Sequence, residues 1–421
     1  MIRITSQHTG WLLILLVAGS LSFAAGANPL DFLRKLPFVN SGLDIERVQR
    51  EFHNTFYETG RLPEKVRVDD EVLQLSYTIK PELEEEITQL LKKYKSDFAS
   101  VVVMDNNTGH VLAAIDMARG DGRTGRIATF SPTHPAASVF KIVTAADLLE
   151  NTHVGNETQF KFAGRSTTLY KSQLKQADGR WARKTDFEHA FARSNNVIFG
   201  KAALENLSPT GLKKMAEKFG FNRPVIPFMK AQPSVFPMAV DQYNLAELAS
   251  GLNVSTMISP VHGALIASIV ANGGVMKQPV LLRRVATEAG LTQWESAPSS
   301  ETVVAPDTAE DLRKMMMATI SEGTARRAFR RLPASLSNLE VGGKTGSITG
   351  GEPYGKRDWF VAYARDTTKP EDRGLSICVM IVNKKKWYVK STQLTREILE
   401  LVWGNSGRAH VIRRKLWSNR T

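Results

Sequence analysis

The sequence predicts an α+β domain whose sheet is assembled from distant parts of the chain. A hairpin pattern lies at residues 101–115, and strand patterns return only after residue 339. The region between them, residues 135–330, is patterned mainly as helices broken at Gly and Pro. Strands and helices that are segregated along a chain are typical of the α+β class, because the strands must then meet through tertiary pairing.

Composition narrows the class of protein before any motif is considered. Of 421 residues, 42% are hydrophobic and 23% are charged, which excludes wholesale disorder and a polytopic membrane protein. The net charge of +13 indicates an anionic partner such as nucleic acid, a membrane surface or an acidic polymer. The single cysteine, Cys378, can form no internal disulfide and excludes a thiolate-rich metal site.

The first 27 residues carry the features of an export signal. Arg3 is the only charged residue before an apolar run at 11–18, and small residues continue to Ala27. This pattern predicts a secretory signal peptide over 1–27. An uncleaved membrane anchor is the alternative, because residues 10–27 are marginally long enough to span ~30 Å of hydrocarbon. Both interpretations export the remaining chain to the periplasm or the outer face of the cytoplasmic membrane, and export excludes nucleic acid as a partner.

Residues 28–94 are mixed and polar, which predicts a short N-terminal stalk or linker module. A predicted helix over 81–95 lies at the boundary with the main domain, and its acidic start and basic end suit the helix dipole. The main domain then follows, over residues 95–405.

The main domain opens with a hairpin, because turn residues 106–109 separate two β-branched runs. Its later elements are strands at 339–348, 359–364 and 375–382 and a closing helix at 393–403. Residues 406–421 form a basic C-terminal tail, which we expect to be solvated or to contact anionic lipid or wall polymer.

Ser138 and Lys141 form an S-x-x-K pattern at the predicted start of a buried helix. The spacing puts both side chains on one helical face, and a lysine partly stripped of water can take the serine proton. The pattern alone is weak, because one or two chance matches are expected in a chain of this length. Ser172 and Lys175 are such a match. Ser138 precedes an apolar helix at 142–149, whereas Ser172 lies among polar residues, so we interpret Ser172 as a surface residue.

Two further patterns follow along the chain. Ser194 and Asn196 form an S-x-N pattern, which alone would be a helix cap or a turn. Residues 344–346 read K-T-G and precede Ser347, at the end of a strand pattern. The glycine lets the backbone approach a ligand closely, while the lysine and the hydroxyls face an anion. Alone this pattern would be a strand that ends in a turn.

The three patterns occur in the order S-x-x-K, S-x-N and K-T-G, which is the signature of class A β-lactamases and penicillin-binding proteins. The sequence resembles the transpeptidase domain of penicillin-binding proteins over about residues 95–405. That resemblance implies an antiparallel sheet covered by helices, with a helical subdomain between the sheet-forming segments. It extends beyond the motifs to residues 135–149, 186–200, 258–275, 323–326 and 358–363.

The resemblance implies a serine D,D-transpeptidase that acts on the D-Ala-D-Ala end of peptidoglycan stem peptides. Ser138 would be the acylated nucleophile and Lys141 its proton acceptor. Ser194 would relay a proton to the leaving group, and Lys344 would tune that proton path. β-Lactams would acylate Ser138 as slow-leaving mimics of the substrate.

Substrate contacts follow from the same resemblance. Asn196 would bind the substrate amide, and Thr345, Gly346 and Ser347 would form the site for the substrate carboxylate. The backbone N–H groups of Ser138 and Ser347 would form the oxyanion hole. No metal or organic cofactor is implied. Cell-wall synthesis proteins and anionic envelope polymers or lipids are further candidate partners.

Two departures from the family pattern are visible. Where the family carries a small Gly-Gln-Gly-like turn, residues 250–253 read Ser-Gly-Leu-Asn, which puts substrate contacts there in doubt. Residues 28–94 are too few for a glycosyltransferase domain and few for the usual pedestal, so we expect a monofunctional enzyme.

Three alternatives share this fold. A D,D-carboxypeptidase has the same acylation half-reaction, with water as the acceptor. A β-lactamase needs a deacylating glutamate, and no Glu-x-x-x-Asn pattern occurs in the stretch that follows Ser194. A non-catalytic β-lactam sensor is the third, against which the intact motifs argue. His134, near the nucleophile, and Cys378, in an apolar strand, are interpreted as structural residues.

Overall fold

A six-stranded antiparallel sheet organises the domain, which confirms the predicted fold class. The computed structural model describes residues 43–119 and 124–417, so the expected signal peptide or anchor at 1–27 lies outside the described residues. The chain divides into two units after Leu43, and the strands and helices of the domain belong to the unit that begins at Asp44. Within the described ranges, no helix combines the length and the apolar character that crossing a membrane requires.

The strands of the central sheet come from both ends of the domain. They are β3 (Phe98–Asp105), β4 (Val111–Ala118), β5 (Thr124–Gly125), β14 (Leu339–Gly350), β15 (Gly355–Asp366) and β16 (Leu375–Asn383). In space their order is β14, β15, β16, β3, β4, β5, and every neighbouring pair is antiparallel. Cys378 of β16 pairs with Val102 of β3, which joins the two distant strand groups as expected.

Shorter strands complete the set. They are β1 (Lys65–Val68), β2 (Glu71–Tyr77), β6 (His134–Pro135), β7 (Gln159–Phe162), β8 (Arg183–Asp186), β9 (Met257–Ile258), β10 (Val275–Lys277), β11 (Leu282–Thr287), β12 (Thr292–Glu295) and β13 (Ser300–Thr302).

Helices fill the middle of the chain and flank the sheet. They are α1 (Ile45–Thr59), α2 (Pro81–Tyr94), α3 (Ile127–Phe130), α4 (Lys141–Asn151), α5 (Phe187–Ala192), α6 (Asn196–Asn206), α7 (Pro209–Lys218), α8 (Gln242–Ser250), α9 (Pro260–Ala271), α10 (Pro306–Ser321), α11 (Arg326–Phe329), α12 (Ser391–Trp403) and α13 (Gly407–Trp417). Short 3-10 helices lie at Ala137–Phe140, Lys171–Leu174, Pro227–Met229 and Ala334–Leu336.

Helix α9 covers one face of the sheet and is buried along its whole length. Apart from His262 and Ser268, its residues are apolar on all sides, as is typical of a fully enclosed helix. A Cβ at Gly263 would lie 2.9 Å from Sγ of Cys378, so the glycine lets the helix approach β16 closely. Cys378 is fully buried there, and burial raises the pKa of its thiol, which fits the predicted structural role.

A four-stranded sheet outside the central one was not predicted from the sequence. Its order is β1, β2, β11, β12, so part of the expected stalk pairs with strands from the middle of the chain. Leu75 of β2, for example, pairs with Val285 of β11. The strands are short and their partner lies far away in sequence, so neither local pattern indicated the pairing. The boundary between stalk and domain at residue 94 stays a prediction.

The expectation of a solvated C-terminal tail is wrong for residues 407–417. They form helix α13, whose apolar side chains Ala409, Ile412 and Leu416 are buried, and Ile412 and Leu416 belong to the hydrophobic core. The basic residues occupy the other side, where Arg408 forms an ion pair with Glu86 at 3.3 Å. The apolar residues recur at helical spacing, with many charged residues between them. Packing of the apolar side of the helix against the core stabilises it.

Replacing Leu416 with alanine tests this packing. We expect the free energy of unfolding to fall by about 2–3 kcal/mol, because the substitution leaves a cavity beside the core. Val411 is 44% exposed on the same helix. The matched Val411→Ala variant should therefore change stability by less than about 0.5 kcal/mol in urea denaturation. Equal effects in the two variants would show that α13 does not pack against the core through Leu416.

Candidate active site

The nucleophile candidate Ser138 lies in the 3-10 helix Ala137–Phe140, which runs directly into α4. The turn between them brings the Lys141 amine 2.8 Å from Ser138 Oγ. The predicted S-x-x-K contact is therefore present. Ala137 has φ 50°, a left-handed conformation that costs a non-glycine residue energy and must be held by its surroundings.

Lys141 has no exposed surface and is surrounded by oxygen atoms. Besides Ser138, its Nζ donates to Asn196 Oδ1 at 2.7 Å and to the carbonyl oxygen of Ser250. Burial, reinforced by the charge of Lys344, lowers the pKa of Lys141 well below that of a free lysine. An amine whose pKa is lowered in this way can take the proton of a neighbouring serine hydroxyl.

The second motif lies in the connection between α5 and α6. Ser194 has φ 56°, a second left-handed non-glycine residue at this site. Asn195 caps α6 by accepting a hydrogen bond from the backbone N–H of Ile198 at 3.2 Å, so the capping role belongs to this residue. Asn196 turns inward, and its Nδ2 donates to the carbonyl of Thr167 at 2.9 Å while its Oδ1 accepts from Lys141.

The third motif occupies β14, an edge strand of the central sheet. Lys344 is buried, and its Nζ donates to Ser194 Oγ at 2.9 Å and to the carbonyl of Thr345 at 3.0 Å. Burial lowers the pKa of Lys344 to about 7. The ring of Phe191 lies 5.4 Å from the amine, so an aromatic face stabilises whatever charge the amine holds.

Two glycines allow the backbones of the site to meet. A Cβ on Gly346 would lie 3.2–3.3 Å from Val139 and from the carbonyl of Ala136, so β14 passes directly beside the nucleophile turn. Gly251 has φ 68°, and a Cβ there would lie 2.0 Å from the carbonyl of Ala137. Only glycine fits this position without moving the nucleophile turn.

A cavity of about 640 Å³ opens beside the third motif. Thr345 and Ser347 are among its lining residues, and Thr345 Oγ1 lies 2.6 Å from Thr324 Oγ1. The structure thus connects Ser138, Lys141 and Asn196 in one hydrogen-bonded group and Ser194 with Lys344 in a second.

Sequence reasoning missed two parts of the site. The carbonyl of Ser250 is a backbone atom with no side-chain signal, although residues 250–253 depart visibly from the family pattern. Thr324 lies in the segment 323–326, which resembles the family, but the sequence predicts no contact for it. Its place is fixed by its backbone N–H, which donates to the carbonyl of Ala192 at 3.1 Å.

The remaining expectations concern residues that take no part in the expected reaction. His134 is buried, and desolvation together with Arg357 lowers its pKa to about 3, so it is a neutral structural residue as predicted. Arg357 Nε donates to its Nδ1 at 3.3 Å. Ser172 lies exposed in a short 3-10 helix, as predicted. The described residues contain no group of three or more His, Cys, Asp or Glu that could hold a metal ion.

Comparison with curated proteins identifies several relatives of this chain. "Peptidoglycan D,D-transpeptidase PbpA" of Mycolicibacterium smegmatis is 24% identical over 358 residues, which are 77% of this chain and 68% of that protein. "Penicillin-binding protein PbpB" of the same species is 26% identical over 305 residues. Those residues are 66% of this chain but 45% of PbpB, so the chain spans less than half the length of that relative.

Solved structures share the fold at lower identity. The D,D-transpeptidase domain of a peptidoglycan glycosyltransferase from Eggerthella lenta has a TM-score of 0.63 at 22% identity, over 78% of this chain and 82% of that one. Penicillin-binding protein 3 of Mycobacterium tuberculosis has a TM-score of 0.64 at 20% identity, over 79% of this chain and 80% of that one. The latter protein has also been solved in complex with aztreonam.

A family model described as the penicillin binding protein transpeptidase domain matches residues 99–400, close to the predicted 95–405. The match includes all three motifs, and the observed α+β architecture agrees with it. The chain therefore belongs to the penicillin-binding protein transpeptidase family.

Proposed function

We propose that this protein is a serine D,D-transpeptidase that acts on peptidoglycan stem peptides through an acyl-enzyme on Ser138. The observation that carries the proposal is the buried amine of Lys141, 2.8 Å from Ser138 Oγ and with a lowered pKa. A serine hydroxyl is a weak nucleophile until such a base takes its proton. The name of the relative PbpA supports the same activity and the same substrate.

In the acylation step, Ser138 Oγ forms a bond to the carbonyl carbon of the penultimate D-Ala as Lys141 takes its proton. The peptide C–N bond then breaks, and the departing amine nitrogen receives a proton through Ser194. Lys344 donates to Ser194 Oγ at 2.9 Å, which supports the proposal that it resupplies that proton. With a pKa near 7 it can give and regain a proton at neutral pH.

The substrate contacts follow the motif order. The second hydrogen of Asn196 Nδ2 would bind the substrate amide, because the first is used on Thr167. Thr345 and Ser347 would hold the terminal carboxylate, with Gly346 keeping the strand close to the nucleophile. The backbone N–H groups of Ser138 and Ser347 would form the oxyanion hole, which stabilises charge that develops only in the transition state. A β-lactam would use the same contacts.

Covalent labelling tests the function. The full-length protein is incubated with a fluorescent penicillin, and the label on Ser138 is followed for hours by gel fluorescence. We expect stable labelling that is lost in Ser138→Ala and kept in Ser172→Ala, which alters the exposed serine of the second S-x-x-K match. Rapid loss of label would indicate a β-lactamase instead, and an unlabelled wild type would contradict a catalytic role.

The proton acceptor is tested by Lys141→Ala. Loss of a general base typically slows a reaction by about 10²–10⁴-fold, and we expect acylation by penicillin to slow by that factor. Lys175→Ala is the matched control, because Lys175 is exposed and is the lysine of the second S-x-x-K pattern, at Ser172 and Lys175. Stopped-flow labelling measures both rates, and thermal unfolding checks that each variant is folded. Equal acylation rates in Lys141→Ala and the wild type would refute the role.

The pH dependence of acylation follows from the lowered pKa of Lys141. The base must be unprotonated, so the rate should rise with pH through that lowered pKa and then level off. We expect the plateau well below pH 10, whereas a lysine of ordinary pKa 10.5 would give a rate still rising there. Acylation rate constants measured between pH 5 and about pH 10 distinguish the two. A tenfold rise per pH unit up to pH 10 would contradict a depressed pKa.

A further inference from the structure

The cavity beside the third motif is lined partly by residues that have no role in the proposed acylation step. Thr324, Thr345 and Ser347 line it together with residues of the segment 387–393 that leads into α12. Its volume of about 640 Å³ is large for a single terminal D-Ala, since pockets that hold drug-sized ligands measure about 300–1,000 Å³. A second part of the substrate therefore has room there.

Positive charge surrounds this cavity. Arg327 of α11 and Lys390 contribute to its lining. Asp358 is the carboxylate among the described lining residues, and it is 5% exposed and accepts a hydrogen bond from the backbone N–H of Ser391. Further exposed cations follow on the two segments that supply Arg327 and Lys390: Arg326, Arg330, Arg331, Lys384, Lys385 and Lys386.

Arg327 is free to meet a ligand. It is exposed and makes no hydrogen bond or ion pair to another residue within 43–119 and 124–417. A guanidinium presents parallel N–H donors that match a carboxylate, and such charge-assisted pairs are stronger than neutral hydrogen bonds. The chemistry that suits this position is a carboxylate on a bound molecule.

The geometry of the proposed reaction indicates which molecule binds in this cavity. In the proposed acylation the terminal D-Ala leaves from the side of Thr345 and Ser347, where its carboxylate is held. Attack of an amine on the acyl-enzyme is the chemical reverse of that departure, so the acceptor amine must occupy the position that the leaving amine vacated. The rest of the acceptor then extends into the cavity that continues from these two residues.

We propose that this cavity is the acceptor site, and that Arg327, assisted by Lys390, binds a carboxylate of the acceptor stem peptide. The inference rests on the proposed transpeptidase function. In the step it serves, the acceptor nitrogen forms a bond to the acyl carbon and the bond from that carbon to Ser138 Oγ breaks. The proton lost by the amine passes to Ser138 Oγ, so the serine hydroxyl is restored.

A concave site favours a wall peptide over a membrane as the partner. The cations line and flank a cavity that also contains Thr345 and Ser347, so a ligand on Arg327 shares that cavity with the residues that would hold the substrate carboxylate. Anionic lipid headgroups form an extended surface, which suits an exposed convex patch. The position of the charge therefore supports a role in choosing the acceptor.

The test measures how the acyl-enzyme divides between amine and water. The full-length protein receives a synthetic D-alanyl thioester donor with either glycyl-glutamate or glycyl-glutamine as acceptor, and mass spectrometry gives the ratio of aminolysis to hydrolysis product. This ratio is set after the acyl-enzyme forms, so it does not depend on the acylation rate. We expect the acidic acceptor to be preferred by about fivefold or more.

Substitutions test whether Arg327 is responsible for the preference for the acidic acceptor. In Arg327→Gln it should fall to near one, and Arg327→Lys should keep part of it because the charge remains. Arg50→Gln is the matched control, since Arg50 is an exposed arginine of α1 outside the cavity lining, and it should keep the full preference.

An equal ratio for both acceptors in the wild type, or a preference that survives Arg327→Gln, would overturn the acceptor site while leaving the acyl-enzyme intact. Failure to form an acyl-enzyme at all would instead contradict the proposed function. If Arg327→Gln changes only co-sedimentation with phosphatidylglycerol vesicles, the arginine belongs to a membrane contact and the proposal is wrong.

Discussion

Two lysine amines share one buried site, and the proposed chemistry depends on keeping at least one of them unprotonated. Taking an ammonium group out of water is costly, so burial favours the neutral amine. A second buried amine favours the neutral form further, because two like charges in one site repel each other. The charge of Lys344 lowers the pKa of Lys141 in this way. The fold must therefore exclude water from both amines while giving each of them oxygen partners. Lys141 has three such partners from three separate segments of the chain.

The backbone around the amines shows what this arrangement costs. Ala137 and Ser194 both adopt left-handed conformations, each of which costs of order 1–3 kcal/mol for a non-glycine residue. Close packing holds the conformation of Ala137, because Gly251 lies against its carbonyl and Gly346 lies against the same turn. The hydroxyls of both candidate serines lie within hydrogen-bond distance of the amines, and Lys344 is carried on an edge strand of the central sheet.

Much of this site was predictable, because it consists of side chains in short motifs. The S-x-x-K spacing predicted that Ser138 and Lys141 lie on one helical turn. The order of the three motifs matched a known family, and that resemblance predicted that Ser194, Asn196 and Lys344 belong to the same site. The carbonyl of Ser250 could not be found in this way, since any residue type supplies a carbonyl and only the backbone path determines where it points. The same limit applies to the fold. The hairpin at 101–115 was local and visible, whereas the pairing of β2 with β11 depends on tertiary contacts between distant short strands. Helix α13 was not predicted because its three buried apolar residues lie among several basic ones.

The most direct test of the neutral amine is a titration of Lys141 itself. In protein labelled with ¹⁵N-lysine, the Nζ resonance of Lys141 can be assigned as the one missing from Lys141→Met and followed from pH 5 to about pH 11. We expect its midpoint well below the ordinary lysine value of 10.5. A midpoint near 10.5 would contradict the account, because Lys141 would then be charged when the reaction occurs and could not accept the proton of Ser138.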